Sequence, residues 1–423
     1  MKPEIATQPR LLGKALCLIG LGCCVMMASV VSAEPALDQV LPPLDAIKQS
    51  LSQHPTVRSA VSDQDYANFA GQGLKLGHPW TVRAGMQLRN TDAQDGQTKS
   101  NSYEPNFGVE KQIRLPGKYR LDQDLAQRGM SIAELKYEDA KHEVAKTLLN
   151  QWLEEQQARI QHYMQMTQQR IRAGDAPRLE LMLLSNESRQ IEEQYMQAKT
   201  AYYQAQQLLS RDYQGKIPEH WSSDVIKIRP LEYTQTEWIQ QVLSANHELE
   251  LAKTQAAQQD ALVKREKLNR VANPTVGVGY SREQSGIENL MSVSVSIPLA
   301  SRQVRIASGM AMAEAQKANF EIGRVENRLR QETQYWFTQM ESATVRSEQA
   351  QQNLAQLQQQ HGLMQKAYKL GELSLNELLL HSQQLVDARG RIDQAKIDYA
   401  ESLSLLLLNS HQLWPLHEDH QAE

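Results

Sequence analysis

The residues best equipped for chemistry in this chain are eleven histidines and two carboxylates, Glu180 and Glu377, at matching places. Imidazole is the commonest metal ligand and titrates near neutrality, so histidine spacing is the first test. It yields no ligand set. His417 and His420 sit in the C-terminal tail, while His361 and His381 fall on heptad positions where packing competes with ligation. His142, His247 and His417 each precede a glutamate, but none completes the two-histidine pattern of a zinc hydrolase helix. No Gly-rich phosphate loop and no Ser-His-Asp spacing stands out. Bond-making chemistry therefore has no candidate residues, and the expectation is that the chain is not an enzyme and needs no cofactor. Glu180 and Glu377 open predicted helices, where the dipole favours a carboxylate. Whether they do more depends on the elements around them.

The N-terminus carries Lys2, Arg10 and Lys14, then an apolar stretch from Ala15 to Val31, closing on Val31-Ser32-Ala33. This reads as a secretory signal over 1–33, short for a membrane span and ending in a small-residue cleavage site. All three cysteines, Cys17, Cys23 and Cys24, lie inside it, so an exported chain would have no disulfide or thiolate site. A lipid-acceptor role for Cys23 or Cys24 is a second reading that its neighbours, Gly20 and Cys23, fit poorly. The formal charge of −4 becomes −6 without the signal, with no basic patch, so nucleic acid is not an expected partner.

The chain is duplicated. Arg172-Ala173-Gly174-Asp175 returns 197 residues later as Lys369-Leu370-Gly371-Glu372, and Glu180, Leu181, Leu183 and Ser185 return as Glu377, Leu378, Leu380 and Ser382. After each glycine a 3-4-3-4 apolar seam follows: Leu181, Leu184, Ser188, Ile191, Tyr195, Ala198, Tyr202, Ala205 and Leu209. The second copy is Leu378, His381, Leu385, Ala388, Ile392, Ala395, Tyr399, Ser402 and Leu406. With Leu354, Leu357, His361, Met364 and Tyr368 leading in, this predicts antiparallel coiled-coil hairpins. Gly174 and Gly371 then end helices in the left-handed conformation, and Pro177 suits the next first turn. Helices are expected over about 44–75, 177–209 and 300–370, the last about 105 Å tall. The first two, stacked end to end, would lie beside one tall helix.

Four short segments have period two instead. Trp80, Val82, Met86 and Leu88 form one apolar side, as do Phe107 and Val109, with Lys111 interrupting; Val276, Val278 and Tyr280 follow, then Val293, Val295 and Ile297. Strands are expected at about 79–90, 105–115, 274–282 and 290–299, with polar loops Asn90 to Glu104 and Arg282 to Asn289. Length and pattern suit outer-membrane barrel strands with those twelve residues facing lipid. A half-buried surface sheet gives the same alternation. Four strands cannot close a barrel and open edges are not tolerated in lipid, so the barrel reading requires oligomerisation.

The order helix, hairpin, long helix, glycine tip, helix, run twice, resembles the TolC-type outer-membrane efflux factors over nearly the whole mature chain. Segments Ile171 to Leu183 and Tyr368 to Leu380 resemble that family's periplasmic tip motif, and the short chain and loops look closest to the CzcC-like heavy-metal branch. The resemblance implies a mainly α fold with a small β part, and a homotrimer with a twelve-stranded barrel in outer-membrane lipid above a twelve-helix periplasmic tunnel. It also implies a periplasmic membrane-fusion adaptor and an inner-membrane resistance-nodulation-division pump as partners. Heavy-metal cations are the expected cargo, with drugs or exported polypeptides as alternatives and a soluble periplasmic coiled-coil scaffold as the rival class. By position in the motif, Gly174, Arg178, Gly371 and Leu375 face the adaptor, and Glu377 and Glu180 stand near the tunnel constriction. Relatives often carry a second acid three residues on; here those places are Leu183 and Leu380, which thins the ring. The layout expected is 1–33 signal, 34–213 first repeat (tip 171–183), 214–231 linker, 232–408 second repeat (tip 368–380) and 409–423 tail. Linker and tail would belt the tunnel's middle.

Overall fold

The computed structural model describes residues 40–91, 100–172, 178–213, 226–229, 233–299 and 302–416. The signal segment, all three cysteines and Gly174 lie outside these. Each half runs two short helices, a hairpin, a tall helix and a 35-residue helix. In the first half these are α1 (Leu44–Gln53), α2 (Pro55–Lys75), β1 (Trp80–Thr91), β2 (Ser100–Gln112), α3 (Pro116–Arg172) and α4 (Arg178–Asp212). The second has α5 (Gln235–Ala245), α6 (His247–Leu268), β3 (Thr275–Glu283), β4 (Glu288–Ser296), α7 (Arg302–Lys369) and α8 (Leu375–Asn409). Both ends of α8 lie 197 residues beyond those of α4, so the duplication is kept to the residue. The tall helices end in the same register, but α7 has 68 residues against 57 in α3, the extra length lying on the sheet side.

The helix expected over 44–75 is two. His54 has ψ 131°, as a residue before proline must be extended, and Pro55 cannot donate into the preceding turn. The His54 ring instead caps α2, accepting from Thr56 N–H at 3.3 Å. The second half breaks at the same place without a proline: Asn246 Oδ1 accepts from the N–H groups of Glu248 and Leu249 at 2.9 and 3.3 Å.

All four strands form one antiparallel sheet in the order β1-β2-β3-β4. The two hairpins are therefore joined, Val109 of β2 pairing with Val278 of β3. β2 starts at Ser100, earlier than its alternation suggests, because Ser100 to Glu104 go on pairing with β1. Pro105 is tolerated because pairing with β3 begins only at Asn106, so β2 is an edge at that height. At the other end β2 stops at Gln112 and Ile113 N–H donates to Pro274 O at 2.8 Å.

The main core lies at mid-height in the helical part, where Val40, Ile47, Leu148, Leu149, Trp152, Met340, Leu405 and Leu406 are buried together. The described ends of linker and tail join it through Ile226, Leu413 and Trp414. Trp152 Nε1 donates to Val40 O at 2.8 Å and Tyr213 Oη to Leu148 O at 3.0 Å, so these aromatics bury their rings with their polar atoms satisfied.

Candidate functional site

Strand pairing gathers the nominated apolar residues into rows on one face, except Ile297, which lies just past the end of β4 at Ser296. Val82, Val109, Val278 and Val293 are successive partners, as are Ala84, Phe107, Tyr280 and Met291. Trp80, Val276 and Val295 share a row with Lys111, whose ammonium lies 4.7 Å from the Trp80 ring centre. That cation–π contact explains how a lysine sits on an apolar face. All twelve nominated residues are exposed, from Val109 at 37% to Val293 at 78%. Among the described residues no helix covers this face.

The opposite face is polar and mostly small: Gly85, Gly108, Gly277, Gly279, Ser281, Ser292 and Ser294. Room is short between these strands, since a Cβ on Gly279 would stand 2.6 Å from Ser292 Oγ. Charge gathers at two heights. Arg83 pairs with Glu110 at 3.0 Å, and towards the loops Arg89 meets both Glu104, at 3.1 Å, and Glu283. Arg89, Glu104 and Glu283 carried no assignment in the sequence, where Glu104 closes a loop. Only strand register brings the three together, since Ser100 to Glu104 read as a polar run.

The second helical tip is fully described. Gly371 has φ +77°, its N–H donates to Tyr368 O at 3.0 Å, and Glu372 N–H donates to Ala367 O at 2.9 Å. This pair of bonds is a Schellman motif, which puts the expected left-handed glycine at C′ of α7. Ser374 then caps α8. Its hydroxyl accepts from Glu377 N–H at 3.3 Å, and the Glu377 carboxylate accepts from Ser374 N–H and Oγ–H at 3.0 and 2.8 Å. The Ser374 backbone bond, then the hydroxyl, holds the Glu377 carboxyl below its ordinary range although the side chain is exposed. Leu375 opens α8 half-buried and Leu370 projects into solvent at the turn. Of the first tip, Arg178 and Glu180 open α4, and their side chains, like Gly174, lie outside the described residues.

Where their side chains are described, from Ile191 in α4 and throughout α8, the predicted seams face inward. In α8, His381, Ala388, Ile392, Ala395, Tyr399, Ser402 and Leu406 are buried. In α4 the described seam has Tyr195, Ala198, Tyr202 and Ala205 half-buried between buried Ile191 and Leu209, because α4 packs chiefly on α3 whereas α8 lies between α3 and α7. His381 makes hydrogen-bond contacts to Leu357 O at 3.1 Å and Gln384 Oε1 at 3.3 Å and stacks on His361, ring centres 5.6 Å apart. Burial, then His381, lowers the His361 pKa. A group that sequence did not foresee lies at mid-height. His411, with φ +57°, has its ring centre 5.3 Å from that of His142 and 4.4 Å from that of His247. Beside it, burial, with Glu143 and Glu248 nearby, pushes the Asp139 carboxyl up to about 6. Among the described residues no group of three His, Cys, Asp or Glu is disposed to hold a metal ion.

Lateral order is the same at every height. The upper helices run α2, α3, α6, α7; the lower ones run α4, α3, α8, α7; the strands run β1 to β4. One flank therefore ends in β1, α2 and α4, and the other in β4 and α7. Both carry exposed apolar side chains: Tyr66, Phe69 and Leu76 along the first, Ile306, Met310 and Phe320 along the second.

No protein-family model and no curated protein matches the chain. Solved structures do. The CmeC outer membrane channel of Campylobacter jejuni aligns with TM-score 0.69 and 15% identity, over 91% of this chain and 87% of its own. CusC, described in connection with transmembrane channel formation, gives 0.68 and 13%, over 89% and 91%. The outer membrane protein VceC of Vibrio cholerae gives 0.67 and 13%, over 87% and 95%. At these identities what is shared is the fold, a mostly helical TolC-like protomer with one four-stranded sheet.

Proposed function

We propose that the chain is an exported subunit of an outer-membrane efflux channel in a Gram-negative bacterium, acting as a homotrimer without bond chemistry of its own. The observation that carries this is the sheet. One face is a continuous exposed apolar surface, the other is polar and lined by small residues, and both edges are open. Such a sheet is viable in lipid only when neighbouring copies close it into a barrel. The flanks favour the same assembly, because β4 and α7 of one copy can meet β1, α2 and α4 of the next, a head-to-tail contact that closes into a ring. Residues 1–33 act as the signal peptide.

The helices below the sheet extend the passage, and α7 alone is about 100 Å tall. At its far end the tips, with Gly174, Arg178, Gly371 and Leu375, dock a periplasmic adaptor that joins the channel to an inner-membrane pump of the resistance-nodulation-division type. Glu377, with Glu180, rings the constriction. Three Glu377 carboxylates near one axis would favour cations over anions, and the capping box presents each carboxylate in a fixed place. Heavy-metal cations are the proposed cargo, supported by an excess of carboxylates over guanidinium groups on the polar sheet face: Glu104, Glu110, Glu283 and Glu288 against Arg83 and Arg89.

Cell fractionation tests the reading. Heat-resistant trimers in the outer-membrane fraction are expected; a monomer released without detergent would instead favour a soluble scaffold.

A further inference from the structure

The polar sheet face is uniform until its loop end. Below that end its residues are glycine, serine, threonine, asparagine and glutamine, apart from the Arg83–Glu110 pair and Leu290. At the loop end three strands join in one charged group, and Glu288 of β4 stands opposite its Glu283 on the same face. Arg89 of β1 lies against Glu104 of β2 at 3.1 Å and Glu283 of β3. Glu104 is only 2% exposed, although it stands on the open face of a thin sheet. The same carboxylate accepts from the backbone N–H of Gln284 at 3.1 Å. Residues Gln284–Gly286 form the short 3-10 turn that joins β3 to β4. Two of its backbone positions are left-handed, Gln284 at φ +48° and Gly286 at φ +96°. The Arg282 guanidinium donates to Gly286 O at 3.3 Å and leaves no room for a Cβ there. The turn is thus curled and fastened to the face that carries Glu104.

We propose that Arg89 and Glu104 hold the β3–β4 turn against the inner wall of the barrel, forming a charged collar that sets charge selectivity at the outer mouth. This rests on the channel reading, which makes the polar face the lumen. Arg89 has two parts. Its positive charge offsets two carboxylates, and its guanidinium fixes Glu104 where that carboxylate can hold Gln284 N–H. A nearly buried carboxylate needs such a partner, because an unpaired charge there would be costly. Lysine would keep the charge but not the fork geometry that reaches both carboxylates. In a ring of three copies the collar repeats three times, so a one-charge change per chain becomes three at one height along the path of permeating ions. Glu377 is placed at the opposite end, so the two elements are separable.

The test uses the full-length trimer extracted from membranes and reconstituted in planar bilayers under a potassium chloride gradient. Arg89→Gln should raise the potassium-to-chloride permeability ratio roughly twofold or more and increase single-channel conductance. Adding Glu104→Gln restores the net charge, so the double variant should return to the wild-type ratio while conductance stays raised. Arg89→Lys should keep the ratio near wild type. If Arg89→Gln fails to assemble, Glu104→Gln alone carries the test, with a lower ratio and raised conductance expected. A conducting wild type, with ratio and conductance unchanged in Arg89→Gln or, in its place, Glu104→Gln, overturns the collar and leaves the channel reading standing. A wild-type trimer that does not conduct overturns both.

Discussion

Replacing Phe320 on α7 should weaken assembly, and a charge there should prevent it, without disturbing the protomer. Heights across the protomer follow from three contacts. Gly71 of α2 lies against Ala126 of α3, Asp122 of α3 pairs with Arg265 of α6 at 2.6 Å, and Glu248 of α6 pairs with Arg328 of α7. Carried along these antiparallel neighbours, Tyr66 on one flank and Phe320 on the other stand at one height. Phe320 is 80% exposed and Tyr66 75% exposed. A phenylalanine buries about 200 Å², so covering that exposed share removes about 160 Å² from water, about 4 kcal/mol per contact at about 25 cal/mol/Å². Phe320→Ala should lose roughly half or more of this at every interface and lower the temperature at which the trimer dissociates on a semi-native gel. Phe320→Asp should give monomers with unchanged helix content by circular dichroism. A Tyr66→Cys, Phe320→Cys pair should form inter-subunit disulfides up to a trimer, since all three native cysteines precede the expected cleavage site. Full heat resistance in Phe320→Asp, with no cross-linking of the cysteine pair, would refute the flank-to-flank ring.

Gly371→Ala forces an alanine to φ +77°, costing about 1–2 kcal/mol at the turn. Hydrogen exchange should quicken around Tyr368 to Ser374, and adaptor binding should weaken, with little change in barrel stability. For Asp139, the folded carboxyl at about 6 lies above its ordinary 3.8. Its contribution is complete at acid pH, is lost as pH rises from about 4 to about 6, and leaves a buried charge as a cost above that. Asp139→Asn should therefore raise the melting temperature at pH 8 and have little effect at pH 4; equal shifts at both would contradict the assignment. Glu377→Gln should lower cation preference in bilayers, and unchanged selectivity would leave Glu377 with its capping role alone.

Much of the architecture was legible because it rests on local rules. Gly371 reads as a helix end because only glycine takes φ +77° there without strain, and the seam from Leu378 to Leu406 reads as buried because its spacing matches the helix repeat. The break at Pro55 is equally local, since proline forces His54 extended and withholds an N–H from the preceding turn. Features built by distant residues were not legible. The β2–β3 pairing joins segments more than 160 residues apart, and nothing in either strand names its partner. His142, His247 and His411 come from three elements, so no short spacing announces them. Glu104 follows a polar run that looks like loop, and only the register with β1 turns it into a strand residue facing Arg89. The Glu377 carboxylate was correctly placed in a first helical turn, but its bonds to Ser374 depend on the tip's backbone path.

Conductance of the purified full-length protein in a planar lipid bilayer decides whether the sheet closes into a channel. A trimeric fraction should give discrete, stable channels, lost when Phe320→Asp yields monomers. A protein that stays monomeric and leaves the bilayer non-conducting would contradict that closure.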